Sequence, residues 1–546
     1  MHAAQFDYII VGAGSAGCVL ANRLSADGRY RVLLLEAGGS DRRLRVQLPI
    51  GYGLSFFDPR LNWMLHTQPE PALGGRSGYW PRGKVLGGSS SINAMVWVRG
   101  QPEDYEHWQS LGNPGWGWRD VAPVFERTEA VQGEALAAQP GRGRSGPVAV
   151  RDLARDAHPL CAVYLRAAAQ AGLPLSGGFN AASTAQIEGA GLYEINTRGG
   201  LRMSAARAYL RPAARRPNLT VATHAAATRV LFEGRRAVGV AFRQGGAPHQ
   251  ARAQREVILS AGAVHSPLLL QASGVGPAAL LRELGIAAVL ANENVGRHLQ
   301  DHLCIDHIYR TRVRTLNQEL RPWSGRVRAA LRYVLTRGGP LALSVNQGGG
   351  FIRSRPEVPR PDLQLYFSPV SYTRAPAGER PLMSPDPFPG MLLSAQPCRP
   401  QSRGELRLRS PDVLDAPVIE PHALEAPGDL PVLLAGARWL RRLAAAPAFA
   451  EVISEELLPG PAAQSDEALI ADIRRRAGTV FHPCGTCRMG PEAEGAVVDA
   501  QLRVHGVQAL RIVDASVFPT IPSGNTNAPA IMVGERGADL VLQAAG

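Results

Sequence analysis

Apolar residues along the chain change rhythm twice. At the start they come in short unbroken runs. Tyr8 to Val11 is a β-type run, residues 12–17 read Gly-Ala-Gly-Ser-Ala-Gly, and Val19, Leu20 and Leu24 then fall on one side of a helix. "RVLLLEAG" (31–38) is a second buried strand, ending at Glu36. The order is strand, glycine turn, helix, strand, acid. Residues 219–262 alternate in short strands and close on "EVILSAG", a β-meander returning to the first sheet. From about 312 to 465 the rhythm changes again: "LQLYFSPVSYT", "GMLLSAQPC" and "GELRLRS" are strand-like, and "LPVLLAGARWLRRLAAAPAF" has helical apolar spacing. That predicts an antiparallel sheet with helices. The most apolar window, 257–276, is broken by His265, Pro267 and several Gly and Ser, so it reads as a buried strand and helix joined by a turn and not as a membrane span. The Gly/Pro/Gln-rich stretch 131–147 is expected to be an exposed loop.

The first pattern carries chemistry. Gly12 makes a tight turn, Gly14 lets backbone approach a pyrophosphate, and Gly17 lets helix and strand pack closely, with Ser15 and Ala16 opening the helix between them. A helix N-terminus offers free N–H groups and a positive dipole end to phosphates. Glu36, at the end of the second strand, is placed to accept hydrogen bonds from a ribose. This is a dinucleotide site, and the pattern alone does not choose between NAD and FAD.

Composition narrows the field. At 546 residues, with 45% hydrophobic content, the chain is long enough for two domains with large cores. The formal charge of +13 could suggest nucleic acid, but the arginines are scattered, no run of five or six basic residues occurs, and aromatics are 6%. The charge suits steering of anions such as a dinucleotide. Six cysteines (18, 161, 304, 398, 484, 487) in so long a chain do not make a disulfide scaffold, and a reduced compartment fits best. The N-terminus lacks the charged and apolar regions of a secretion signal. Among 59 Lys plus Arg, Lys84 is the only lysine. It stands beside a second glycine-rich loop, Gly87-Gly88-Ser89-Ser90-Ser91, whose small residues allow backbone to lie flat against a planar ring. A lysine there is explained if the position needs a compact ammonium and has no room for a planar fork. "SINAMVWV" follows, apolar and β-prone, so this loop leads inward.

At this point the chain resembles the glucose–methanol–choline (GMC) oxidoreductases, FAD enzymes that oxidise alcohols. The resemblance runs essentially end to end. It rests on "DYIIVGAGSAGCVLANRLS", "RGKVLGGSSSINAMVWVRG", "GAVHSPLLLQASGVG", "FHPCGTCRMG" and "RIVDASVFPTIPSGNTNAPAIMVGERGADL". It implies an α/β chain, α+β overall, with a Rossmann-like FAD-binding domain (1–155, 191–311 and 466–546) and an interleaved substrate domain on an antiparallel sheet with helices (156–190 and 312–465). By resemblance, Val85, Gly88, Asn93, Ala94 and Val96 line the flavin and its diphosphate. Val230 would contact the adenine side, and Asp514 and Ala515 the ribityl and phosphate region. Asn527 starts the last helix, whose dipole would stabilise the anionic reduced flavin. Some members attach FAD through a histidine just before the loop's Asn. Ile92 stands there, and isoleucine has no nucleophile, so tight non-covalent FAD is expected.

His482 matches the family's catalytic histidine, in the role of base for the alcohol proton. Asn525 matches a position that is His or Asn in members. An asparagine there can hold the alcohol oxygen but cannot accept its proton, leaving His482 as sole base. His482, Cys484 and Cys487 also present donors at metal-ligand spacing. A fourth ligand is not evident, so no metal is expected and the cysteines read as packing residues. The segment resembling the choline enzymes' E-A-G-G-F-I-R reads "QGGGFIR", with Gln347 in place of the acid. An uncharged primary alcohol is therefore expected, with choline as the alternative and a lyase or decarboxylase that keeps the FAD as a further one. The electron acceptor is left open between quinone and oxygen. The expected location is cytoplasmic, with peripheral contact at the inner membrane left open.

Overall fold

The structure is a computed structural model describing residues 4–181, 183–373 and 385–546. Residues 374–384, inside the segment expected to belong to the substrate domain, lie outside those described. The first strand, Ala4–Val11, pairs in parallel with Val32–Leu35 on one side and Ala247–Leu259 on the other. Leu219–Ala222 extends the parallel run beyond Val32–Leu35, and Leu510–Ile512 adds a further parallel pairing to Val257–Leu259. Arg236–Gln244 and Ala225–Glu233 complete a seven-stranded sheet as an antiparallel meander. Strands at the centre of a parallel sheet are covered on both faces, which is why Tyr8, Ile9, Ile10 and Val11 are all buried. The opening helix, Ser15–Leu24, and the last helix, Asn527–Ala544, pack together over this sheet. The window 257–276 folds as expected, a strand end followed by the helix Gly262–Ala272.

The second sheet is antiparallel. Its order is Gly348–Ile352, Leu363–Ser368, Gly390–Pro397, Leu303–Thr311, Ile453–Leu458, with Gly478–Thr479 pairing the start of Leu303–Thr311. Its core lies against the helices Leu160–Gln170 and Asp429–Ala444, where Tyr164 stacks on Phe367.

Three expectations from the sequence meet differences. The strand Leu303–Thr311, placed before the limit at 311, already belongs to the second sheet. "GELRLRS" pairs with Val418–Glu420 in a separate two-stranded ribbon, and its Leu406 and Leu408 join the core of the first sheet. The 131–147 stretch, expected as an exposed loop, is only partly one: it holds the end of the strand Glu129–Gln132 and the short helix Glu134–Ala137, and Leu136, Arg142 and Gly143 are buried. Arg142 bridges Glu129 and Glu194, and Glu129 also binds Arg99, a network of four nearly inaccessible charges. Breaking one partner of such a network strands a buried charge, typically at about 3–5 kcal/mol.

Candidate active site

One long cavity runs from the first sheet to the second. At one end are Gly12, Gly14, Ser15, Ala16 and Glu36; at the other are His482 and Asn525.

The first end is built from backbone. Gly12 has φ +100°, and a Cβ there would come 2.4 Å from the Ser260 carbonyl oxygen. Only glycine closes this turn without strain. The turn leaves the Ala13 N–H aimed at Glu36 Oε2 (2.9 Å), while Gly38 N–H reaches Oε1 (2.8 Å). Burial nevertheless pushes the Glu36 carboxyl up to about 7. The second glycine loop closes onto the first: a Cβ on Gly88, itself at φ +52°, would lie 2.7 Å from Gly14 Cα. Asp514 accepts from the Gly262 N–H (2.9 Å), the Ser266 hydroxyl and the Ser516 N–H (2.8 Å), pinning the strand end to the helix Gly262–Ala272.

Most of the residues expected at the dinucleotide line this cavity, including Gly88, Asn93, Ala94, Val96, Asp514, Ala515 and Asn527. Three do not. Gly17 lies behind the wall, where a Cβ would meet the Gly12 carbonyl oxygen at 1.9 Å; it serves helix–strand packing, as its spacing implied. Val85 is buried behind the second loop, and its carbonyl accepts the Gly88 N–H at 2.7 Å. Val230 is turned into the core with its N–H on Ser273 Oγ (2.7 Å), and Ala225, Ala226 and Ala227 of the same strand form the wall instead. Lys84 is also off the wall. Its Nζ sits 4.4 Å from the centre of the Trp63 ring, and its charge favours the ionised form of Glu36. Trp63 lines the cavity and packs on His265 at 4.3 Å.

The second end is built from side chains. Phe481 takes φ +71° and is held there by its N–H on Thr479 Oγ1 (2.8 Å) and by Arg82 Nη2 on its carbonyl (2.7 Å). That turn delivers His482 to the cavity. Its N–H binds Asp301 Oδ1 (2.8 Å), which also accepts the N–H of His302 (2.9 Å). Burial pushes the Asp301 carboxyl up to about 6.

The histidines form a chain: His302 Nε2 lies 2.9 Å from the Cys398 carbonyl, and His302 Nδ1 lies 3.0 Å from His482 Nδ1. A carbonyl only accepts, so His302 Nε2 carries the proton. Burial pushes the His302 pKa down to about 4, so the ring is neutral and its Nδ1 has a lone pair. His482 Nδ1 must then donate, which leaves the Nε2 lone pair toward the cavity, 3.2 Å from Asn525 Nδ2. The amide is oriented in turn. Gln396 Nε2 donates to Gln364 Oε1 (2.8 Å), and Gln364 Nε2 donates to Asn525 Oδ1 (3.3 Å). Sequence reading named His482 and Asn525, which the fold brings together, and did not name Asp301, His302 or Gln364. The adjacent Asp301-His302 pair was the one available signal.

Around this pair the wall is apolar and aromatic, with Tyr52, Phe56, Ile92, Met95, Val345 and Phe481. The only carboxylates on the cavity wall among the described residues, Glu36 and Asp514, belong to the dinucleotide end. Gln347 is not on the wall; its Oε1 accepts the His158 N–H at 2.7 Å, and its neighbours Val345 and Asn346 face the cavity. Cys484 and Cys487 are free thiols packed in the first core. No described helix is long and apolar enough to cross a membrane.

A dinucleotide cradle that shares one cavity with a histidine–asparagine pair fits a class: oxidoreductases that draw hydrogen from a small molecule into a bound nucleotide. The chain belongs to the GMC oxidoreductase family, whose N-terminal model matches residues 6–304 and whose C-terminal model matches 400–534. It is 43% identical to the alcohol dehydrogenase [acceptor] of Pseudomonas putida over 542 residues, covering 99% of this chain and 96% of that one. It is 42% identical to the mitochondrial choline dehydrogenase of Homo sapiens, covering 98% and 90%. The formate oxidase of Aspergillus oryzae RIB40, studied for modification of its FAD, has the same fold, with TM-score 0.90 at 25% identity, covering 99% of this chain and 98% of that one.

The cofactor is FAD, and the residues present fit it. Two glycine loops in contact leave no side chain between backbone and a pyrophosphate. At the N-terminus of the last helix, Asn527 Oδ1 accepts from Ser15 Oγ (2.9 Å), while its Nδ2 is buried with no hydrogen-bond partner. An orphaned buried donor costs about 1–3 kcal/mol, so a donor on a cavity wall calls for an acceptor on a ligand.

Proposed function

We propose that the protein oxidises an uncharged primary alcohol to its aldehyde, with FAD held non-covalently and His482 as the only base. Gly12, Gly14, Gly88, Asp514 and Asn527 hold the cofactor; FAD, when bound, supplies the acceptor for the hydride that leaves the carbinol carbon. The observation that carries the reading is the His302–His482–Asn525 chain, which keeps a lone pair on His482 Nε2 beside an amide donor. The alcohol oxygen takes the Asn525 N–H while its own proton passes to Nε2. His302 Nδ1 then accepts from the protonated ring and holds its orientation. Ile92 supports non-covalent attachment, because it presents hydrocarbon to the cavity at the position where a nucleophile would be needed.

The substrate reading rests on the wall at the His482 end, where neither carboxylate lies. The aromatic rings there, Tyr52, Phe56 and Tyr366 among them, favour a second reading, since such faces also hold a trimethylammonium group. Anaerobic mixing of the yellow enzyme with aliphatic and aromatic alcohols and with choline, watching flavin bleach, separates the two. Bleaching by 1-alkanols or benzyl alcohols and not by choline is the expected result. Choline bleaching fastest would install the second reading, and bleaching by none of them would remove both. Acid precipitation tests the attachment: FAD belongs in the supernatant.

A further inference from the structure

The helix Trp323–Thr336 is exposed along almost its whole length. It is tied down by one narrow stripe of Gly325, Ala329 and Tyr333. Gly325 lets it approach the Glu319 carbonyl, which a Cβ would meet at 2.3 Å, and Tyr333 donates its hydroxyl to the Gly200 carbonyl (2.9 Å). The opposite face is apolar and open: Trp323 is 79% exposed, Leu335 74%, Val334 67%, Leu331 58% and Val327 56%. At about 100° per residue these five positions fall within an arc of roughly 120°, and the anchoring stripe lies on the far side. Both edges of the arc carry arginine, with Arg326 and Arg337 on one side and Arg328 and Arg332 on the other. All four are exposed, and none has a carboxylate partner among the described residues. The sequence from 320 to 356 contains no Asp or Glu.

An apolar arc rimmed by guanidinium groups that no described carboxylate neutralises is complementary to one kind of surface, acyl chains beneath a layer of phosphates. We propose that this helix is a membrane-docking element that lies flat in the surface of an anionic phospholipid bilayer. Trp323, Leu331 and Leu335 sink below the headgroups, and the flanking arginines meet lipid phosphate. The helix packs on the turn Pro340–Ala342, which leads directly into Val345 and Asn346 on the cavity wall. Docking therefore brings the bilayer close to the chain segment that supplies Val345 and Asn346 to the cavity wall. The inference stands on the helix alone and survives if the substrate reading fails.

The test is flotation of the full-length, FAD-loaded protein with vesicles. One set is equimolar phosphatidylcholine and phosphatidylglycerol, the other phosphatidylcholine only. The wild type should float with the anionic set and lose most of that binding in high salt. A triple variant, Trp323→Ser, Leu331→Ser and Leu335→Ser, should bind at least tenfold more weakly, with unchanged flavin content and unchanged turnover of a water-soluble alcohol. A double variant, Arg328→Gln and Arg332→Gln, should show the wild type's high-salt affinity already at low salt. Wild type that stays out of the anionic vesicles, or a triple variant that floats like wild type, overturns the proposal. So does a wild-type dimer in sedimentation velocity that the triple variant abolishes without any vesicle binding, because a second copy would then cover this face.

Discussion

At the Glu36 end of the cavity, the wall is mostly glycine-rich backbone from two short loops, with the side chains of Glu36, Asp514 and Asn527 set around it. At the His482 end the polar groups that face the cavity are side chains, His482 and Asn525, held in turn by His302, Asp301, Gln364 and Gln396. The first end fails when a side chain is added; the second fails when one is removed. The two ends are thus open to separate experiments.

The sharpest contrast comes from Gly88→Ala at the first end. The new Cβ would sit 2.7 Å from Gly14 Cα, backbone against backbone, at φ +52°. Left-handed backbone alone costs about 1–2 kcal/mol for a residue with a Cβ. The variant should purify colourless and inactive; a full flavin spectrum would show that the loops can part. His482→Ala should do the opposite, keeping wild-type FAD content while slowing flavin reduction about a hundredfold to ten-thousandfold. Stopped-flow traces should show the deficit shrinking at high pH, where hydroxide or a pre-ionised alcohol can substitute. Asn525→Ala removes a positioning donor and not the base, so roughly 1–3 kcal/mol of barrier is expected. If Asn525→Ala is the slower of the two, the assigned roles are reversed.

Asp301→Asn touches stability more than rate, since Oδ1 still accepts both histidine amides and Thr479 can turn its hydroxyl to the new amide. Burial raises this carboxyl from 3.8 to about 6, so the native state holds the proton more tightly than the unfolded chain. That contribution is fully present below about pH 4 and is lost as pH rises through about 6. The variant lacks the loss. Urea melts should therefore show the wild type falling relative to Asp301→Asn by on the order of 2–3 kcal/mol between about pH 4 and pH 7. A pH-independent difference would place the proton elsewhere. The smallest effect belongs to Lys84→Arg, where a planar fork must fit over Trp63. A few-fold fall in FAD affinity is expected, and unchanged flavin content would return the lone lysine to chance.

The same contrast explains what could be read in advance. The strand–turn–helix from Tyr8 to Leu24 and the acid at Glu36 are local, and their spacing reports their geometry. The meander and the second, antiparallel sheet followed from periodicity, since strands covered on one or both faces keep a recognisable apolar rhythm. Periodicity could not show that "GELRLRS" leaves that sheet for its own ribbon, or that Arg142 dives from a polar stretch into the core, because both depend on partners more than ten residues away. Val230 lies off the cavity because the strand Ala225–Glu233 meets it only with Ala225 to Ala227, beyond a break in register at Ala227/Arg229, and the Val230 N–H is taken by Ser273. His302 is the instructive omission. Its only mark in the chain is the adjacent Asp301, and its role exists because His482, 180 positions later, folds back to within 3.0 Å.

The hydrogen bond from Ser15 to Asn527 spans 512 positions of the chain. It joins the first turn of the opening helix to the first turn of the last, and the strand Leu510–Ile512 enters the same sheet just before it. A ribosome adding about 5–20 residues per second needs on the order of half a minute to nearly two minutes to pass from one partner to the other. Throughout that interval the phosphate loop is already made but its far wall is not, so nascent chains offer a half-built cradle with Asn527 absent. Flavin capture is then a late event in biosynthesis, the step that locks beginning to end, and cells starved of riboflavin would accumulate a chain whose earliest and latest segments lack the ligand that joins them.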